Sequence, residues 1–256
     1  MISRYEATLN GVAMSSLHND LLILDLVYSD PSPQFRTNAV AGRDGTTISS
    51  RYKEDCFVTI QFELHIYGIA ARQAALASVI AWARAGGILT TNDRPGQQLS
   101  CVCTTLPTIA SARNWTDPLE ITFSAASLPY WESDTETTLT LSGLNPSGNM
   151  TVPGCGEYAL MDCTITPDAD MTSLSISIGS RIFSFSLLSV AAGQTVAIRY
   201  DENRRISIKA NGVSIMQARD PASADDLAIL TGSAQRISIS SNARLTATFT
   251  ARGVFE

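Results

Sequence analysis

The chain has 256 residues, of which 45% are hydrophobic and 16% charged, enough apolar material for one large core or two ordinary ones. Its formal net charge is −6, and residues 1–132 and 133–256 each hold nine Lys and Arg against twelve Asp and Glu. Evenly spread negative charge argues against a surface that grips nucleic acid, which needs clustered cations to displace counterions.

Read in chain order, Arg4 to Val27 forms short strands around Asn10-Gly11, a dipeptide suited to a tight hairpin turn. Asp30-Pro-Ser-Pro33 is a loop, and a long hairpin is expected from Phe35 to Tyr67. Its second strand alternates, with Val58, Ile60, Phe62, Leu64 and Ile66 on one face and Thr59, Gln61, Glu63 and His65 on the other.

One helix follows, over Ile69 to Ala85. Ile69, Leu76, Val79, Ile80 and Ala83 make an apolar stripe at helical spacing, with Arg72, Gln73 and Arg84 elsewhere. Gly86-Gly87 supplies a left-handed stop. A single stripe wants a single partner, so the helix is expected to lie across the sheet of its flanking strands.

Gly87 to Thr91 then reads as a short strand, Asn92 to Gly96 as a turn, and Gln98–Leu106 and Leu119–Ala125 as further strands. The stretch from Ser127 to Thr135 holds Pro129 and no periodicity, which places a boundary between domains 1–132 and 133–256. Beyond it the strand candidates are Leu139–Leu141, Tyr158–Ile165, Leu174–Ile178, Arg181–Leu187, Thr195–Tyr200, Arg205–Lys209, Val213–Met216, Arg236–Ser240 and Leu245–Ala251. Short strands separated by turn signals at this density make a two-sheet sandwich.

Chemistry is sparse. His18 lies in a loop-like stretch and His65 on the polar face of a strand, and Cys56 is about 30 Å from His65 if the intervening chain is extended. The five cysteines are expected to be reduced, buried core thiols, because their number is odd and no signal peptide is expected in Met1-Ile-Ser-Arg-Tyr-Glu-Ala. Cys101 and Cys103 share a strand face, but the second pair a structural zinc site needs is missing, so no metal is expected.

Gly154-Cys-Gly-Glu-Tyr-Ala159 spells the loose dinucleotide pattern, yet an alternating strand follows it where a helix is required, so its glycines are turn residues. The carboxylate pairs Glu54-Asp55, Asp134/Glu136 and Asp225-Asp226 sit in polar, loop-like settings. No catalytic residue and no cofactor is expected. No apolar stretch reaches the ~20 residues that cross a bilayer, so a soluble protein is expected.

The layout of the first part rests on Gly42-Arg43-Asp44-Gly45, the strand Phe57–Tyr67, the lone helix, Asp93-Arg-Pro95 and Leu128-Pro-Tyr-Trp131. The second part adds Ser184-Phe-Ser-Leu, Ala192-Gly-Gln-Thr-Val-Ala-Ile, the Arg205–Gly212 strand and turn, and Thr248-Phe-Thr-Ala-Arg-Gly-Val-Phe255. In this order they resemble the distal tail (Dit) proteins of long-tailed, non-contractile bacteriophages. The resemblance implies a mainly β chain: a sandwich or barrel-like ring domain with one helix and a long β-hairpin, then a galectin-like β-sandwich.

It also implies a structural, non-enzymatic role at the virion tail tip, assembled in the host cytoplasm. Six copies would close a ring between the major tail tube protein and a tail-associated hub protein, with fibres or receptor-binding proteins on the second domain. DNA would pass through the channel without specific binding, and no membrane is involved. Arg43, Asp44, Gly45, Glu63, His65, Asp93 and Arg94 are the expected contacts. The rival reading is a carbohydrate-binding sandwich for host adhesion, disfavoured because Trp82, Trp115 and Trp131 all lie in the first domain.

Overall fold

The computed structural model describes residues 4–39, 46–108, 118–126, 128–186, 188–201 and 204–256, with no account of the side chains of 37–52. Mainly antiparallel sheet, it has one α-helix among the described residues and divides into two compact units, Met1–Trp131 with Glu256, and Glu132–Phe255.

The first unit begins with β1 (Ala7–Leu9) and β2 (Val12–Ala13), joined through Asn10 and Gly11 at φ 51° and 80°. Both central residues being left-handed gives the turn whose twist matches paired strands. A single 3-10 turn, Met14–Leu17, leads to β3 (Leu21–Ser29). Then come β4 (Pro33–Ala39), β5 (Thr46–Lys53), β6 (Phe57–Leu64), α1 (Ile69–Arg84), β7 (Gly87–Thr91), β8 (Gln97–Thr105) and β9 (Leu119–Ala125).

Seven of these strands form an antiparallel sheet in the order β3-β6-β9-β8-β7-β1-β2. On β3 the alternation slips at Leu24, where Ile23 faces Phe62 but Asp25 faces Gln61. This bulge turns Leu26 to the same buried side as Leu21 and Ile23, which strict alternation would not allow.

The helix packs over β6 and β8, as a single apolar stripe demands. Its buried residues are Ala75, Leu76, Val79, Ile80, Trp82 and Ala83, and also Arg72, at 7% exposure. Four positions depart from the expected stripe: Ala75, Trp82 and Arg72 are buried as well, and Ile69 is exposed. Arg72 is four residues before Leu76 and seven before Val79, hence on the stripe by geometry, and a long aliphatic stem suits it to cover apolar neighbours. Ile69 opens the helix and is 52% exposed. Trp82 fixes the helix at its other end: its ring meets Phe123 edge-on at 5.9 Å and its Nε1 donates to the Val12 carbonyl at 3.0 Å.

The long hairpin is present with other bounds than expected. β4 and β5 pair with each other from Pro33↔Lys53 to Ala39↔Thr46 and with no other strand among the described residues. The alternating strand from Phe57 is instead a central strand of the sheet, between β3 and β9. Its apolar half, Val58, Ile60, Phe62 and Leu64, is fully or nearly buried, and only a central position offers enough neighbours for that.

The second unit stacks two sheets. In one, β10 (Trp131–Gly143), β20 (Leu245–Phe255), β12 (Tyr158–Pro167), β15 (Val196–Tyr200), β16 (Ile206–Ala210) and β17 (Val213–Ser214) lie side by side, and β18 (Ala228–Leu230) pairs with the start of β12. The other orders β11 (Ser147–Thr151), β19 (Ala234–Ser241), β13 (Leu174–Ile178) and β14 (Arg181–Phe185). Met161, Cys163, Ile165 and Phe249 from the first sheet and Ile176, Phe183, Ile237 and Ile239 from the second are buried.

Strands β11 and β18 were not anticipated, for they are short and carry little apolar alternation of their own. β10 reaches back into the stretch expected to be aperiodic, with Trp131 and Ser133 buried and Glu132 and Asp134 alternating with them. At the other end of the expected Val213–Met216 strand, Met216 starts a 3-10 turn. The Gly154 backbone sits against that of Val254, where a Cβ would collide with the Val254 carbonyl, so close approach and not phosphate binding explains this glycine.

Candidate assembly interface

Arg43, Asp44 and Gly45 lie outside the described residues. What the structure does describe is the ribbon that leads to them. Its root is closed by a Glu54 N–H donating to the Ser32 carbonyl at 3.0 Å and a Ser32 hydroxyl donating to Glu54 Oε2 at 3.1 Å. Lys53 Nζ lies 2.6 Å from Glu256 Oε1 and 4.9 Å from the centre of the Tyr130 ring. Above this root the ribbon stays two-stranded for seven pairings, about 25 Å at ordinary strand rise. Phe35 on it is 49% exposed. A lone two-stranded ribbon is marginal in water and gains stability when a further surface covers it.

Glu63 on the outer face of β6 and His65, one residue past the strand's end, sit together. Glu63 Oε2 is 2.9 Å from His65 Nε2. The face continues as a polar ladder: Thr59 and Thr122 hydroxyls are 3.1 Å apart, Gln61 Nε2 donates to Glu120 Oε1 at 2.8 Å, and Asp25 stands opposite Gln61. Just past it, Tyr67 is 91% exposed and Ile69 half exposed, on either side of Gly68 at φ 95°. The alternation that drew attention to Glu63 and His65 stops at Ile66, so nothing in the pattern singled out Tyr67 as a bare aromatic.

Asp93 and Arg94 belong to a different group, held inside the first unit. The Arg94 guanidinium is 4.5 Å from the Tyr28 ring centre and 5.2 Å from that of Trp131, and the two rings meet edge-on at 5.8 Å. Arg94 also donates to the Glu256 carbonyl at 2.8 Å. The Tyr28 hydroxyl lies 2.6 Å from Asp93 Oδ1, to which it donates, and 3.1 Å from Thr91 Oγ1. Burial, aided by that bond to a carboxylate, pushes the phenol well above its ordinary value of 10.0, so Tyr28 stays a donor. Of this group only Asp93, Arg94 and Trp131 stood out in the sequence. Tyr28 and Thr91 carry no motif and meet the turn only through the sheet. No hydrogen bond or ion pair links Glu63 or His65 to Asp93 or Arg94.

The remaining candidates are structural. His18 Nδ1 accepts the Asp20 N–H at 3.1 Å. Burial pushes the Cys56 thiol up to about 11 and the Cys101 thiol to about 12, and raises Cys163 further. Cys103 is half-buried and Cys155 exposed, departures from the expectation that all five are core. Cys155 lies in the glycine turn before β12, where its N–H donates to the Val254 carbonyl at 2.9 Å. Groups of three or more metal-ligating side chains are absent among the described residues, and no described helix is long and apolar enough to cross a membrane.

No family model matches the chain, and no curated protein matches it in sequence. Solved structures do. The Dit protein (gp 19.1) of phage SPP1, described as a paradigm of hub adsorption apparatus in Gram-positive infecting phages, matches with a TM-score of 0.67 at 12% identity, over 97% of this chain and 98% of that one. A chain of the phage P2 baseplate in its activated conformation with calcium matches at a TM-score of 0.45 and 10% identity, covering 97% of both chains. From end to end, through both of its units, this chain has the fold of a phage distal tail (Dit) protein.

Proposed function

We propose that this chain is a structural subunit of a phage tail tip, and that copies of it close into a ring, six in number, joining the tail tube to the tail-tip proteins. The observation that carries the reading is the end-to-end likeness to the SPP1 Dit protein, which spans both units and leaves almost nothing of either chain unmatched. In this reading residues 1–132 form the ring and residues 133–256, a galectin-like sandwich, face outward and carry fibres or receptor-binding proteins. The ring's ends meet the major tube protein and the tail-associated hub protein, and DNA passes through the centre without specific contacts. Closure by rotation needs two different edges of one subunit to fit each other. The β4–β5 ribbon, which pairs with no other strand among the described residues, is one edge; the exposed Tyr67 and Ile69 beside Glu63 and His65 belong to a second contact.

Analytical ultracentrifugation of the purified full chain, with negative-stain imaging, tests this directly. The expected result is a ring-sized particle with a central hole; a strict monomer at the highest attainable concentration refutes it. Charge reversal at Arg43→Glu with Asp44→Arg, between β4 and β5 in the chain, is expected to yield folded protein that no longer forms rings.

A further inference from the structure

The chain contains two Asn-Gly dipeptides, Leu9-Asn-Gly-Val12 and Ala210-Asn-Gly-Val213, and the fold uses them identically. Each is the two-residue turn of a hairpin, with Leu9 opposite Val12 and Ala210 opposite Val213. Their backbones match closely: Asn10 and Gly11 at φ 51° and 80°, Asn211 and Gly212 at 46° and 85°. All four residues are exposed. The two turns are therefore a matched pair in sequence, conformation and exposure.

They differ in what holds the asparagine side chain. Asn10 Oδ1 accepts the Ile88 N–H at 2.9 Å and Asn10 Nδ2 donates to the Gly86 carbonyl at 2.7 Å. Its carboxamide rests on the α-carbon of Gly87, where a Cβ would overlap it. The backbone joins in, with the Asn10 N–H donating to the Ile88 carbonyl at 2.8 Å. At Asn211 only the backbone is held, its N–H donating to the Thr195 carbonyl at 2.9 Å. Neither its carboxamide nor the Gly212 N–H has a hydrogen-bond partner among the described residues. The strands beyond the two turns, β2 and β17, are each two residues long and outermost, but the Trp82 Nε1–H pins β2 by donating to the Val12 carbonyl, whereas no side chain among the described residues bonds β17, so the second turn opens at less cost.

We infer that Asn211 is a site of spontaneous deamidation and isomerisation in the folded protein, and that the matched Asn10 is protected by the fold. The Gly212 backbone nitrogen attacks Cγ of Asn211; the new C–N bond closes a succinimide, the Cγ–Nδ2 bond breaks, and ammonia leaves with the proton from the Gly212 nitrogen. Water then opens the ring at either carbonyl, giving Asp at one and an isoaspartyl linkage at the other. Glycine favours the step because no side chain shields its nitrogen. The product adds one negative charge to the chain's −6 at the sheet edge. The isoaspartyl form also lengthens the main chain within a turn that closes only two strand pairings.

The test is to hold the intact protein at mildly alkaline pH and body temperature, then map peptides by chromatography and mass spectrometry, reading both dipeptides in one sample. A parallel sample is kept in concentrated urea. In urea the two sites are expected to convert at comparable rates. In the native protein Asn10 is expected to fall behind Asn211 by roughly tenfold, the factor that freeing a side chain from two hydrogen bonds implies. An acidic isoform is expected on ion exchange, absent from an Asn211→Gln variant. A native rate ratio equal to the ratio in urea, a native sample in which Asn10 leads, or an isoform that persists unchanged in Asn211→Gln would each overturn the inference.

Discussion

Burial decides the chemistry of the sulfur atoms. A thiol pushed up to about 11 at Cys56 and about 12 at Cys101 is almost wholly protonated at neutral pH, and only the thiolate is an effective nucleophile. Native protein treated with iodoacetamide near neutrality is therefore expected to label at exposed Cys155 first and at Cys103 slowly, leaving Cys56, Cys101 and Cys163 intact until denaturant is added. Peptide mapping checks the order. The same shifts carry a pH dependence. Because the folded state raises both values above the ordinary 9.0, their contribution to stability is complete below pH 9 and disappears as pH rises through about 11 and then 12. Urea midpoints measured above pH 9 are expected to fall for wild type and to fall less for a Cys101→Ala variant.

Among the elements, the helix and its exit show how much one junction holds. Gly87, at φ 117°, starts β7 and leaves room for the Asn10 carboxamide, which is bonded to Ile88 and Gly86 on either side of it. A methyl group there meets a backbone conformation that side chains resist and displaces Asn10 as well. Gly87→Ala is expected to cost about 1–3 kcal/mol from the backbone conformation alone, seen as a lower urea midpoint with an unchanged slope. The helix, the alternating strand and this glycine stop were legible in the sequence because each is a local pattern. The bulge at Leu24 was not, since it follows from matching β3 to the side chains of β6. Nor was the separation of the ribbon from β6: both stretches read as strand, and which partner each finds depends on burial.

For the whole molecule, the ribbon is the feature a solitary subunit does not explain. Ala39 and Thr46 face each other in register, so replacing residues 40–45 with Asn-Gly closes the hairpin without disturbing the sheet. The shortened protein is expected to keep its stability within about 0.5 kcal/mol, as surface changes remote from a core usually do. It is also expected to sediment as a smaller species than the full chain. Equal sedimentation of the two would remove residues 40–45 from the assembly contact.

By itself the sequence determined that the protein is mainly β, with one α-helix among the described residues, and it held enough order in its turns to resemble the Dit fold. These follow from side-chain periodicity and from glycine, asparagine and proline at turns, all of them set by near neighbours. Tertiary structure alone decided that Asp93 and Arg94 are gathered with Tyr28, Trp131 and Glu256 inside one unit. It likewise decided that Arg72 is buried, that Tyr67 is bare, and that the side chain of Asn10 is held while that of its twin Asn211 has no hydrogen-bond partner among the described residues. Each of these depends on residues far apart in the chain meeting across the sheet, and the energy of such a meeting is written in no single stretch of sequence.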